Sequence, residues 1–164
     1  CSSAVSWWSI MRPEAKANAL VLLGAAALLG GALLSQYVGG LFPCEMCYWQ
    51  RWPHYAALFI GLLAWALGSN RALTALAALA VLVSGAIGVF HAGVEYHWWE
   101  GVTTCTAAPI TGSTSEVLGS IMATPLIRCD AAQWTLFGIS LAGYNAILSG
   151  LIGGGALWLL RKPR

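Results

Sequence analysis

Charge is what this sequence has least of. Only 9% of its 164 residues are Asp, Glu, Lys or Arg, where a soluble globular domain carries roughly 25%. The shortfall is concentrated: no charged residue occurs between Lys16 and Glu45, between Arg51 and Arg71, between Arg71 and Glu95, or between Asp130 and Arg161. Each interval holds at least 19 residues, and a helix needs about 20 to cross a bilayer. Polar stripes are missing too. The segments "ALVLLGAAALLGGALLSQYVGG" and "ALTALAALAVLVSGAIGVF" are apolar on every face, which excludes the helices of a soluble bundle. The net charge of +2 is small and its basic residues are scattered, so no nucleic-acid partner is assigned. Internal repeats, low-complexity tracts and a second domain are also lacking.

What remains is an all-α membrane protein, a four-transmembrane-helix bundle forming one integral membrane domain over residues 1–164, with lipid as its solvent. The expected spans are about 17–39, 52–69, 72–93 and 134–159. The first is longer than the apolar core of about 7–15 residues in a signal peptide, and three more follow it, so it is expected to be retained. Four spans put both termini on one side. Arg12, Lys16, Arg71, Arg161, Lys162 and Arg164 fall there, and only Arg51 and Arg128 fall opposite, which places the termini in the cytoplasm. The loops at about 40–51 and 94–133 then face outward. The short turn "GSNR" makes the second and third helices antiparallel neighbours. Small residues four apart, Gly138 with Ala142 and Gly150 with Gly154, suit close helix contact. Trp49, Trp52, Trp98, Trp99 and Trp134 lie near the outer ends, where an aromatic belt belongs. The second outer loop is long, polar and turn-rich, a property of functional loops. Within it Leu118, Ile121 and Met122, after Ser115 and Glu116, suggest a short interfacial helix on the membrane surface.

Four of the five cysteines, Cys44, Cys47, Cys105 and Cys129, sit on this outer face, where redox conditions permit disulfides. They allow three connectivities, and sequence alone does not choose among them. Cys44 and Cys47 begin a helix, where backbone N–H groups and the helix dipole favour a thiolate. Arg51, one turn beyond Cys47, can add positive potential. A bond between Cys105 and Cys129, with 23 residues between them in the loop, would be exposed and within reach of another protein. A Cys-x-x-Cys also serves zinc ribbons, haem attachment and structural disulfides. Haem attachment is excluded because Tyr48 follows Cys47. A four-cysteine zinc site usually has two such knuckles and only one is present, so no metal is assigned.

At "PCEMCYWQR" the sequence resembles the DsbB family of disulfide bond formation proteins. Cys105 and Cys129 in the second outer loop, the order of four spans and the stretch "LFGISLAGYNAILS" extend the resemblance over nearly the whole chain. The related vitamin K epoxide reductases carry their quinone-reducing Cys-x-x-Cys late, whereas here it comes first. The resemblance implies a protein-disulfide:quinone oxidoreductase of the bacterial inner membrane, with both cysteine loops periplasmic and the quinone pool, ubiquinone or menaquinone, as its oxidant. The implied partner is a periplasmic thioredoxin-fold dithiol oxidase of DsbA type, whose thiolate attacks Cys105 in a Cys105–Cys129 disulfide. Electrons then pass to Cys44 and Cys47, with a transient bond between Cys44 and Cys129 freeing Cys47 to act on the quinone.

By the same resemblance Arg51 polarises a quinone carbonyl and steadies the Cys47 thiolate, its bland alternative being to snorkel to lipid head groups. His91 lines the quinone site, or else is a hydrogen-bonded packing histidine. His54, His97, Glu95 and Glu100 are expected at the interface, solvated there or relaying protons. Glu45 and Met46 would tune the pair between which they lie, and Cys1 is expected as a free thiol on the cytoplasmic side. Two other readings stand beside this one: a structural membrane protein whose disulfides brace its outer loops, and an epoxide-reductase-like enzyme.

Overall fold

The computed structural model describes residues 12–102 and 127–163. Among them are four long helices, α1 (Pro13–Tyr37), α2 (Glu45–Ala66), α3 (Arg71–Glu95) and α4 (Leu141–Arg161). Each start has a local cause. Pro13 presets the first helical φ of α1. The Asn70 side chain accepts from Ala72 N and Leu73 N at the head of α3, and Ser140 Oγ accepts from Gly143 N at the head of α4. At the head of α2 the capping atom is the Cys44 sulfur.

Three helices, α1, α3 and α4, are long and apolar enough to cross a membrane. The fourth, α2, carries Glu45, Gln50, Arg51 and His54 in its first half. Cross-contacts run in opposite order along neighbouring helices: Asn18 reaches Gly61 while Arg51 reaches Ala32 and Gln36. Likewise Gly85 and Gly88 of α3 meet Ser149 and Ala142 of α4. The bundle is therefore antiparallel throughout. The end of α1, the start of α2, the end of α3 and the start of α4 come together, and Trp49, Trp52, Trp98, Trp99 and Trp134 belong to that end.

One boundary agrees with expectation and one differs. Helix α2 begins at Glu45, directly after Cys44 and ahead of the apolar run from 52. Helix α4 begins at Leu141 rather than 134. Residues before it form an antiparallel ribbon, β1 (Thr135–Leu136) with β2 (Ile139–Ser140), pairing Thr135 with Ser140 and Leu136 with Ile139. Its turn residues Phe137 and Gly138 have φ of 50° and 76°, the left-handed pair a two-residue hairpin requires. Tyr96 ties this ribbon to α3, donating to Gly138 O at 2.8 Å and accepting from Ser140 N at 3.0 Å. The interfacial helix expected near 115–122, Cys105 and Cys1 lie outside the described residues.

The core is built from small side chains: six of its nine buried members, Ala17, Ala25, Ala57, Ala77, Ala78 and Ala156, are alanines, so the helices approach closely. Large apolar groups point outward instead, Leu23, Phe59, Trp65 and Leu151 each being about two-thirds exposed or more, as a lipid solvent allows. The close contact between α3 and α4 is made by Gly85, Gly88 and Gly153, not by Gly150 and Gly154. A Cβ on Gly88 would stand 3.0 Å from Ala142 O and 3.1 Å from Ala146 N, whereas Gly150 and Gly154 face open space. Gly88→Leu is expected to lower the thermal midpoint in detergent by the equivalent of about 1–3 kcal/mol, the usual cost of overpacking. Gly150→Ala should leave the midpoint unchanged or raise it, and equal melting of the two variants would refute this assignment of the interface.

Candidate active site

Cys44 and Cys47 are free thiols, and the turn between them brings their sulfurs 3.0 Å apart. Cys44 is the helix N-cap, so its sulfur also accepts from Cys47 N at 3.4 Å. The pair lies ahead of the apolar run that starts at Trp52. Its proton is shared unequally: the hydrogen bond from Cys44 to the Cys47 sulfur, with burial, holds the Cys44 thiol far above its ordinary range. The same hydrogen bond pulls Cys47 below its ordinary 9.0, and the Arg51 guanidinium adds a smaller push in that direction. Of the two thiols, Cys47 is the more readily ionised.

Across from them, His91 comes from the last turns of α3. Its Nε2 is 3.5 Å from Cys44 Sγ and 3.7 Å from Glu95 Oε1, and its Nδ1 is 2.7 Å from Gln50 Nε2. His91 is 2% exposed. Arg51 is also buried, at 8%, so it does not snorkel outward. Its guanidinium donates to Gln36 Oε1 at 2.5 Å and Ala32 O at 3.2 Å on α1 and lies 5.3 Å from the Tyr48 ring centroid.

Behind these groups runs a polar network that joins three helices. Asn145 of α4 donates to Gln50 Oε1 at 2.8 Å and to Ser84 O at 3.2 Å. Ser84 Oγ donates to Gln50 O at 2.7 Å. His54 Nε2 lies 3.0 Å from both Asn145 Oδ1 and Ser84 Oγ, and Ser149 donates to Asn145 Oδ1 at 3.1 Å. Neutral polar residues within apolar helices mark functional interiors. Gln50, Ser84 and Asn145 carry that signal in the sequence as neutral polar residues in or beside apolar runs.

One cavity of about 340 Å³ is lined by Cys44, Cys47, Arg51 and His91 together, with Gln50, His54, Glu95 and Asn145, and with Leu28, Leu29, Phe42, Leu141 and Leu148 as apolar wall. Four of the six site residues expected from sequence thus meet at one place. A fifth, Cys129, is disulfide-bonded and packs in one buried cluster with Cys44, Met46 and Val94. It is only 3% exposed, which corrects the expectation that its side of the bond is open to a partner. The sixth, Cys105, is outside the described residues. Two interfacial expectations also change: His54 is 3% exposed and the Glu95 side chain 7%, because α4 and the segment leading into it close over both. His97 and Glu100 are exposed as expected.

Near the cavity rim Arg128 donates to both carboxylate oxygens of Asp130, at 2.8 and 2.6 Å, and holds that carboxyl down to about 2. Gln133 donates to Phe42 O at 2.5 Å, joining the segment after Cys129 to the segment before Cys44. The ligating atoms of Cys44, Cys47 and His91 lie within 4.8 Å of one another, a donor set suited to a thiophilic metal if the histidine nitrogen facing the sulfurs were bare.

A family model described as disulfide bond formation protein DsbB matches residues 14–159. Among curated relatives, the disulfide bond formation protein B of Verminephrobacter eiseniae is 29% identical over 152 residues, covering 90% of this chain and 86% of that protein. That of Polaromonas naphthalenivorans is 30% identical over 153 residues, covering 88% and 89%. Disulfide bond formation protein B 1 of Pseudomonas putida is 46% identical over 79 residues, or 45% of each chain. No solved structure gives a significant match.

Proposed function

Since this chain belongs to the DsbB family of disulfide bond formation proteins, we propose that it is a protein-disulfide:quinone oxidoreductase that reoxidises a periplasmic thioredoxin-fold dithiol oxidase of DsbA type. The observation that carries the reading is the single cavity lined by Cys44, Cys47, Arg51 and His91. Its volume lies within the range of roughly 300–1,000 Å³ common to small-molecule sites. Its make-up, an apolar wall with a few polar groups and a nucleophilic sulfur, fits a flat, lipid-soluble dicarbonyl.

Electrons enter at the second cysteine pair. The partner's thiolate attacks Cys105 of a Cys105–Cys129 disulfide, Cys129 leaves as the thiolate, and the partner's second thiol completes its own disulfide. Cys129 lies beside Cys44 in the buried cluster, so it can attack Cys44 of an oxidised Cys44–Cys47 pair and release Cys47 as the thiolate. Cys105 then closes on Cys129 and leaves both Cys44 and Cys47 reduced. A quinone held in the cavity would supply the acceptor for two electrons and two protons. Cys44 and Cys47 give up those electrons as they close their disulfide, Arg51 orients and polarises the oxidant, and the apolar wall keeps bulk water out. The loops that carry both pairs face the periplasm in this reading, the termini the cytoplasm.

The test mixes purified protein, ubiquinone or menaquinone and a reduced thioredoxin-fold oxidase and follows quinone absorbance. Consumption of one of the quinones is expected, and consumption of neither would overturn the proposal. Arg51→His should raise the apparent KM for quinone roughly tenfold, about the worth of one hydrogen bond to a charged group. Wild-type behaviour across a full titration would remove Arg51 from the quinone site. The bracing alternative requires both pairs to be bonded for structure, and the free thiols of Cys44 and Cys47 favour the redox reading over it. The match to DsbB proteins favours thiol oxidation over epoxide reduction.

A further inference from the structure

The network behind His91 is pinned at both ends by backbone carbonyls, which can only accept. Gln50 Nε2 faces Met46 O at 3.3 Å, and Asn145 Nδ2 faces Ser84 O at 3.2 Å. Each contact fixes which side-chain atom is the amide nitrogen. The bond from Asn145 Nδ2 to Gln50 Oε1 agrees with both. Gln50 Nε2 is therefore the donor where it meets His91 Nδ1 at 2.7 Å, and Nδ1 must accept. A neutral imidazole with a bare Nδ1 carries its hydrogen on Nε2, the atom that faces Cys44 Sγ at 3.5 Å.

We propose that Gln50, held by Asn145, is a positioning residue that locks His91 in the Nε2–H form, making it a fixed hydrogen-bond donor to the Cys44 sulfur instead of a metal ligand. Donation there stabilises negative charge on Cys44 whenever its bond to Cys129 or Cys47 opens. The lock works against chelation by two thiols and an imidazole whose ligating atoms lie within 4.8 Å of one another. Ligation through Nε2 would leave both ring nitrogens without hydrogen for as long as Gln50 donates to Nδ1, and the Glu95 carboxylate, 3.7 Å from Nε2, favours keeping the hydrogen there. The proposal rests on the cavity being the redox site, but it is measured without turnover.

The decisive variant is Gln50→Glu. A carboxylate can only accept, so His91 must turn its hydrogen to Nδ1 and present a bare Nε2 to the sulfurs, the carboxylate–histidine–metal arrangement of zinc sites. With reduced full-length protein in detergent and Co²⁺ as the probe, the thiolate-to-cobalt absorption should give an affinity about 10–100-fold higher for Gln50→Glu than for wild type. His91→Ala in the Gln50→Glu background should abolish that gain. Nitrogen-15 spectra of imidazole-labelled wild type, assigned with His91→Ala, should show Nε2–H for His91. Asn145→Leu, which frees Gln50 to flip, should show a mixture of both forms.

A wild-type His91 carrying its hydrogen on Nδ1 would overturn the lock, as would equal Co²⁺ affinity in wild type and a folded Gln50→Glu. An unmixed Nε2–H signal in Asn145→Leu would remove Asn145 from it. The wild-type spectrum decides the matter even if Gln50→Glu does not fold. Protein that holds Nε2–H yet consumes no quinone would sink the functional reading and leave the lock standing.

Discussion

Cys47→Ala is expected to bring quinone consumption down to the rate seen without protein while barely changing thermal stability. The two readouts separate because of where the side chain stands. Its sulfur is half-buried and lines the cavity, but the helix cap at this point uses the Cys47 backbone N–H and the Cys44 sulfur, both of which survive the substitution. Removing one sulfur from the cavity edge should therefore cost within about 1 kcal/mol, the ordinary range for a point change away from core and caps. Cys44→Ala makes the contrast. It deletes the cap itself, worth about 0.5–2 kcal/mol, and opens the buried cluster with Met46, Val94 and Cys129. It should lose both activity and several degrees of melting temperature. Quinone absorbance and a thermal melt on the same preparations make the comparison. A Cys47→Ala protein that keeps a tenth or more of wild-type turnover would mean that another group delivers the electrons.

The bundle and most of the site were legible in the sequence because each left a local mark. Long charge-free intervals marked the four long helices, and the spacing of Cys44, Cys47 and Arg51 put all three on one helix head. His91, one turn before the end of α3, needed only the antiparallel order of α2 and α3 to face them. What the sequence did not reveal depends on neighbours. Hydropathy starts the second apolar run at 52 because polarity rises before it, but it does not show that Gln50 and Arg51, in the helix ahead of that run, are met by Gln36, Ala32, His91 and Asn145 on other elements. The small-residue pattern named Gly150 and Gly154, but a repeat of four cannot say which side of a helix meets a partner, and α3 packs on Gly153. Glu95 and His54 were expected at the interface because ionisable groups usually are. Their burial follows from coverage by α4 and the ribbon before it, which no window of sequence contains. Cys129 is the sharpest case. Loop composition implied exposure, but its place against Cys44 depends on a contact between parts of the chain some 85 residues apart.

The unequal sharing of the proton between Cys44 and Cys47 yields a pH dependence with a defined sign. A thiol whose pKa lies below 9.0 keeps its thiolate to lower pH than an unperturbed one, so Cys47 alkylation should stay fast as pH falls from 9 and decline only below its lowered pKa. The largest contribution to that lowering is the hydrogen bond from Cys44, so Cys44→Ala should move the decline back up toward 9. An unperturbed thiol of pKa 9.0 is about 1% thiolate at pH 7, which bounds the gain available to wild type at about 100-fold there. Within that bound, wild type should be alkylated at Cys47 several-fold to tens of times faster than Cys44→Ala at pH 7, and the two should converge near pH 10, where both are thiolates. Rates are read with a small neutral alkylating reagent, Cys129 staying bonded and Cys47→Ala serving as the blank. A Cys44→Ala protein whose rate profile overlays wild type across that range would show that the neighbouring thiol does not set the reactivity of Cys47. The cause would then have to be sought in the Arg51 guanidinium and the helix N-terminus.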